Sequence, residues 1–226
     1  MKTKLIYLEH LDQHTCEAGV LDILTENDKT IVVLDQTVFY PQGGGQPYDT
    51  GVIVSGDKTF NVSEVRAVDG IVNHIGSFQD TPFNIGDAVI CKIDSTKRNF
   101  NSRIHSAGHL VDMALKKLDI DWKPGKGYHF PNGPYVEYSG SANGVDLEKL
   151  KKDLETVCNE IASRDIPIKI SFAEKDTRIV TYDDFGIPCG GTHVGNLKEI
   201  VKVIIRKIKK EGENIRVSYA VEPGIT

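Results

Sequence analysis

Ala88-Val89-Ile90-Cys91-Lys92-Ile93-Asp94-Ser95-Thr96-Lys97-Arg98-Asn99-Phe100 is the stretch in which the chain changes its hydrophobic period. Up to Ile93 the side chains of Val89, Cys91 and Ile93 alternate with their neighbours, the period of a strand with one buried face. Asp94-Ser95-Thr96 then supplies the residue types that cap a helix start, and Phe100, Ile104, Ala107, Val111, Ala114 and Leu118 recur at steps of three and four. The spacing predicts a helix from about Thr96 to Leu118 and a boundary between two regions near Ile93 to Thr96.

Upstream of this boundary lie short β-type runs at Thr30 to Asp35, Gly51 to Ser55, Thr59 to Val65 and Ile71 to Ile75. Gly43-Gly44-Gly45, Ser55-Gly56-Asp57, Asp69-Gly70 and Gly86-Asp87 separate them as turns. A small antiparallel barrel or sandwich is expected over residues 1–94. Downstream, Leu147, Leu150, Leu154, Val157 and Ile161 mark a second helix that opens at Asp146 and cannot pass Pro167. Tyr135 to Tyr138, Ile166 to Phe172, Glu199 to Lys209 and Ile215 to Val221 read as strands. Residues 95–226 are thus expected to set helices on a mainly antiparallel sheet, which makes the fold class α+β.

The 226 residues are enough for one large domain or two small ones. With 39% hydrophobic residues, eight Phe, eight Tyr and one Trp, disorder is excluded as a reading. Apolar runs fall far short of the ~18 residues a membrane span needs. The N-terminus lacks the long apolar core of a signal peptide, so a cytosolic address is expected, with no membrane partner. A net charge of -5 argues against a protein that grips nucleic acid along many phosphates, and leaves room for a small local contact. Lys97, Arg98 and Arg103, and Lys202, Arg206, Lys207, Lys209 and Lys210, are candidates for such a contact; a solvated face or a lysine-protected strand edge explains them equally well.

His105 and His109 lie four apart on the predicted helix, so both imidazoles project from one face. Ser106 stands where a zinc protease carries glutamate after its first histidine, which disfavours that enzyme class. Far downstream, Cys189 and His193 flank Gly190-Gly191-Thr192. His105, His109, Cys189 and His193 together make a three-histidine, one-cysteine set, donors that suit zinc and not calcium or magnesium. Cys16, Cys91 and Cys158 are read as core or incidental thiols and no disulfide framework is expected, while His10, His14, His74 and His129 are read as surface or packed residues.

The His-x-x-x-His helix, the later Cys189-Gly190-Gly191-Thr192-His193 loop and the upstream stretch Leu34 to Gly51, with Gly43-Gly44-Gly45-Gln46 at its centre, occur in this order. In these motifs the chain resembles the editing domain of alanyl-tRNA synthetase and its free-standing relatives, the AlaX trans-editing proteins, in their medium-length form. The resemblance implies a translation-factor-like β-barrel followed by a zinc-binding editing domain, with one zinc ion per chain. It implies hydrolysis of the ester joining a wrong amino acid, chiefly serine and also glycine, to tRNA(Ala), with the acceptor stem and 3′ end as the parts of tRNA that are met. A pocket sized for alanine rejects an added hydroxyl poorly, and a second hydrolytic site restores accuracy. Thr37 and Gln46 occupy positions that face the substrate in that family, and the loop Gly43, Gly44 and Gly45 is expected to bring Gln46 near the metal. The sequence assigns no general base. Two other readings stay open: a non-catalytic zinc module that binds a tRNA end or a synthetase, and an editor of a different mischarged tRNA.

Overall fold

The structure, a computed structural model, describes residues 2–26, 28–174 and 177–222. It is α+β, with fifteen strands and two α-helices among the described residues. None of these helices is long and apolar enough to cross a membrane. The chain divides into two compact units, residues 1–43 with 47–98, and residues 44–46 with 99–226.

In the first unit β1 (Lys4–Leu5) pairs in parallel with β4 (Gln36–Thr37). The remaining strands are β2 (Thr15–Glu26), β3 (Lys29–Leu34), β5 (Gly51–Ser55), β6 (Lys58–Val68), β7 (Ile71–Phe78) and β8 (Ala88–Ile93). They close into a barrel in the order β2-β3-β7-β6-β5-β8, with antiparallel pairing throughout, which decides between barrel and sandwich. Closure removes the open edges that a flat sheet of these short strands would leave. The period of two is kept: on β8 Val89, Cys91 and Ile93 are buried and Ala88, Ile90 and Lys92 exposed. Val32, Leu34, Ile53, Phe60 and Val65 fill the same interior.

The helix α1 (Ser95–Lys117) starts where the barrel ends. Asp94 caps it, its Oδ1 accepting from the Lys97 N–H at 3.0 Å. Arg98, one of the residues expected as a phosphate contact, is instead buried against Asp49, so that expectation is corrected. Its Nε donates to both Asp49 oxygens at 3.1 and 3.0 Å and its Nη2 to Asp49 and to the Val38 carbonyl, while Asp49 also accepts from the Tyr40 N–H at 2.7 Å. Lys97 is half-buried over the Tyr48 ring.

The second unit holds β9 (Lys123–Tyr128), β10 (Tyr135–Ser139), α2 (Leu147–Ala162), β11 (Lys169–Ala173), β12 (Thr177–Tyr182), β13 (Phe185–Pro188), β14 (Lys202–Glu211) and β15 (Asn214–Glu222). They form a four-stranded antiparallel sheet, β14-β15-β10-β9, and a three-stranded one, β11-β12-β13. Asp146 caps α2 by accepting from the Glu148 and Lys149 N–H groups, and Leu150, Leu154, Cys158 and Ile161 make its buried face. The strand expected from Glu199 begins only at Lys202, because Leu197–Ile200 forms a 3-10 turn capped by Asn196. The strand expected from Ile166 begins at Lys169, after Pro167, which has no N–H to give a ladder. β14 is a sheet edge, and side chains of α2 cover it. Asn159 exchanges two hydrogen bonds with the Val203 backbone at 2.8 and 2.9 Å, and Glu155 accepts from the Ile205 N–H at 2.8 Å.

Candidate metal centre

His105 and His109 stand one turn apart on α1, with ring centroids 5.1 Å from each other. Cys189 and His193 come from the loop that follows β13. The Arg178 guanidinium folds this loop by donating through Nη1 to the Cys189 carbonyl at 2.8 Å and the Gly191 carbonyl at 2.9 Å. Gly191 passes so close to His105 that a Cβ there would lie 2.0 Å from the ring, so only glycine fits. One ligand atom from each of His105, His109, Cys189 and His193 lies within 4.8 Å of the others.

Each imidazole is held from behind through Nδ1. His105 Nδ1 lies 2.7 Å from Gln46 Oε1, His193 Nδ1 lies 2.7 Å from the Tyr182 hydroxyl, and His109 Nδ1 lies 3.3 Å from Asp112 Oδ2. An amide oxygen and a carboxylate can only accept, so His105 and His109 carry their proton on Nδ1. Tyr182 can pass its own O–H to Ser106 Oγ at 3.3 Å, which lets it accept from His193 in the same sense. Nε2 is then the inward-facing nitrogen of all three rings. The Nε2 atoms of His109 and His193 are buried with no hydrogen-bond partner, and that of His105 has the Cys189 sulfur at 3.5 Å. Three nitrogens and a thiol turned inward, with acceptors orienting the rings from outside, fit a transition-metal ion such as zinc.

The three rings differ in how readily they take a second proton. Burial, together with neighbouring imidazoles and Arg178, pushes His105 and His193 well below the ordinary histidine range. Burial also opposes charge on His109, but Asp112 and the Cys189 thiol outweigh it and raise that ring to about 9, so without an ion His109 holds a second proton, on Nε2 toward the Cys189 sulfur, which a metal must displace. For Cys189 burial raises the thiol, and His109, the Gly191 N–H and Arg178 together bring it below its ordinary value. These contacts favour the thiolate, the form that binds metals.

Gln46 is fully buried, and its amide does more than hold His105. Oε1 also accepts from the Thr192 N–H at 3.0 Å, and Nε2 donates to Thr192 Oγ1 at 2.8 Å. Gly45, with φ of 76°, runs so close to Gly127 that a Cβ would lie 2.1 Å from its carbonyl, and its own carbonyl accepts from the His129 N–H at 2.7 Å. Gly44 and Gly45 thus belong with Gln46 to the second unit, while Gly43 belongs to the first, where its carbonyl accepts from Tyr40. Thr37 is buried in the first unit. His74 beside it is pushed down to about 4 by burial and is neutral. Its Nδ1 donates to the Val32 carbonyl at 2.9 Å, so its Nε2, 2.8 Å from Thr37 Oγ1, accepts the Thr37 proton. Thr37 Oγ1 accepts in turn from the Phe39 N–H at 3.0 Å, and the Cys91 thiol lies within hydrogen-bonding reach of it.

Several residues of the centre carry no motif. His129 stacks on His105 with centroids 4.3 Å apart and is fixed by the Tyr219 hydroxyl at 2.7 Å. Asp112 accepts from the Tyr138 hydroxyl at 2.6 Å while orienting His109. Only Asp112 had a signal in the sequence: it lies three residues after His109, on the same helical face.

Residues 10–97 match the family described as tRNA synthetases class II (A). The chain is 34% identical over 212 residues to the alanyl-tRNA editing protein AlaX-M of Pyrococcus horikoshii, a match covering 92% of this chain and 91% of that one. To AlaX-L of the same organism it is 30% identical over 230 residues, covering 92% of this chain and 54% of the relative. To the alanine–tRNA ligase of Halobacterium salinarum it is 28% identical over 257 residues, covering 97% and 26%. The chain therefore spans about half the length of AlaX-L and about a quarter of that ligase.

Proposed function

Because the chain belongs to the AlaX family of alanyl-tRNA editing proteins, we propose that it hydrolyses the ester joining a wrong amino acid, serine first and glycine second, to tRNA(Ala). The observation that carries this reading is the convergence of His105, His109, Cys189 and His193, with buried imidazole nitrogens left without a hydrogen-bond partner, in a chain of this family. One zinc ion per chain is the group these donors suit. When bound, it supplies a positive charge that can polarise an ester carbonyl, activate a water or orient the amino group of the aminoacyl moiety.

The chain's own residues do the positioning. Gln46, Asp112 and Tyr182 hold the three imidazoles in one tautomer and one orientation, and the Arg178 guanidinium holds the loop that brings Cys189. In this reading Gln46 acts from behind His105, and the Gly43-Gly44-Gly45 loop delivers it there. Thr37 is the residue we assign to the serine side chain. Its hydroxyl proton is committed to His74, so its remaining lone pair can take a hydrogen bond only from a donor. A serine hydroxyl is a stronger donor than the Cys91 thiol within reach of Thr37 and an alanine methyl is no donor at all, a difference of about 1 to 3 kcal/mol.

We assign residues 1–94 to a translation-factor-like barrel and 95–226 to the editing domain, acting in the cytosol. The exposed basic residues of β14, Lys202, Arg206, Lys207, Lys209 and Lys210, are assigned to the acceptor stem and 3′ end of the tRNA. A panel of mischarged tRNAs, incubated with the protein before and after chelation, tests the reading. Seryl-tRNA(Ala) is expected to be hydrolysed fastest and only by the metal-loaded protein. Equal decay with and without the protein overturns it.

A further inference from the structure

Cys16 on β2 and Cys91 on β8 are directly opposed across the barrel ladder. Hydrogen-bonded pairs recur every two residues in an antiparallel ladder, and this ladder shows its phase at both ends. The Ile93 N–H donates to the His14 carbonyl at 3.1 Å and the Val20 N–H to the Asp87 carbonyl at 3.0 Å. Cys16 and Cys91 therefore form a hydrogen-bonded pair, whose α-carbons lie about 5.5 Å apart. The α-carbons thus fall within the about 4.4 to 6.8 Å a disulfide spans; the β-carbons of a hydrogen-bonded pair stand about 5.5 Å apart, wider than the about 3.5 to 4.5 Å of a closed bond, so closure draws the two strands together locally. Both side chains point to the same face, since Cys91 is part of the barrel core and Cys16 packs against it.

The two thiols differ in access. Cys16 is partly exposed and Cys91 is buried, so a reagent from solvent reaches one and not the other. From this register and this difference in access we infer that Cys16 and Cys91 are a reversible disulfide site, closed by a small-molecule disulfide such as oxidised glutathione and reopened by thiols. The Cys16 sulfur attacks one sulfur of the oxidant, forming a mixed disulfide and expelling one thiolate. The Cys91 sulfur then attacks the Cys16 sulfur, breaking the mixed disulfide and expelling the second thiolate. The two protons lost from the cysteines go to the two departing thiolates, so one disulfide is reduced as one is formed.

Local electrostatics favour that order of attack. Contact with Cys91 and the Val38 N–H hold the Cys16 thiol below its ordinary value against burial and Asp35, whereas the Cys16 contact, burial and Asp35 push Cys91 up. The site also touches β4 and its continuation: Thr37 lies within hydrogen-bonding reach of Cys91, and Val38 of Cys16. The other cysteines have other duties, Cys158 buried with its thiol donating to the Leu110 carbonyl and Cys189 among the metal donors. The inference is independent of the proposed activity.

The full chain, loaded with zinc, is equilibrated with oxidised glutathione, alkylated, digested and mapped by mass spectrometry. The expected product is a peptide pair linked through Cys16 and Cys91, lost again on adding reduced glutathione, with Cys158 and Cys189 not linked. Cys91→Ala is expected to trap glutathione on Cys16, raising that adduct at least tenfold over wild type. A glutathione adduct that persists on Cys16 in the wild-type protein, an unmodified Cys16, or a link that includes Cys189 each overturns the inference.

Discussion

The Asp49–Arg98 pair of the barrel unit and the His105–His109–Cys189–His193 group of the second unit are both clusters of polar side chains away from solvent, and they are satisfied in opposite ways. In the first, a cation meets an anion, and the carboxylate takes donors from the guanidinium and from Tyr40. Arg98 Nη1 is left without a hydrogen-bond partner, but the charge it shares is met by the carboxylate. In the second, the Nδ1 hydrogens of the imidazoles point outward, to Gln46, Asp112 and Tyr182, and the lone pairs of His105 and His193 face inward toward each other, His109 and a sulfur. Lone pairs cannot satisfy lone pairs; a cation can. Burial of polar groups by itself therefore says little about function, whereas the direction in which their protons point separates a brace from a binding site.

If that contrast is sound, removing the cation from the second cluster has the largest effect. Chelation, or His193→Ala, is expected to lower kcat/KM for seryl-tRNA(Ala) by about 10^4-fold, while the barrel's melting is unmoved. Metal analysis is expected to find about one zinc per chain. Affinity should fall as pH falls, because the ligands bind only when deprotonated and protons compete for the same lone pairs. Breaking the brace does the reverse. Asp49→Ala strands the buried Arg98 charge and is expected to cost about 3 to 5 kcal/mol by denaturant titration, with metal content unchanged. Loss of zinc in that variant, at a temperature where it is folded, would erase the distinction drawn here.

A finer division lies within the metal cluster, between the donors and the groups behind them. Gln46→Leu keeps all four donors but frees His105 Nδ1, and is expected to weaken zinc about 10- to 100-fold in competition with a chromogenic chelator. The smallest effect is expected at Thr37. Thr37→Val keeps the shape and removes the lone pair, and should narrow the seryl-to-alanyl ratio under single-turnover conditions by about 1 to 2 kcal/mol, a factor of about 5 to 30, at unchanged zinc content. An unchanged ratio would make Thr37 a strand residue bonded to His74 and nothing more.

The elements most legible in the sequence were those whose signal is local. The alternation at Val89, Cys91 and Ile93 and the three-and-four spacing from Phe100 to Leu118 each record a buried face within a few residues, and β8 and α1 follow them. The pairing of His105 with His109 on one helical face is local in the same way. Arg98 misled for the complementary reason: a basic residue near a helix start looks solvated until its partner, Asp49, is placed beside it by the barrel. Tyr182, Tyr219 and His129 gave no sign at all, because a hydroxyl that orients an imidazole or a ring that stacks on one has no required spacing from it. Barrel closure, likewise, is a property of β2 meeting β8 and not of either strand.

The bond between Gln46 and Thr192 joins residues 146 positions apart. At about 5 to 20 residues per second, a ribosome takes about 7 to 30 seconds to make the chain between them. During that interval Gln46 has been synthesised and its partner has not, and once α1 emerges it presents His105 and His109 without Cys189 or His193. The centre therefore waits on residues made well after the barrel strands and α1, and a message broken before the codon for Cys189 supplies two of its four donors and not the other two.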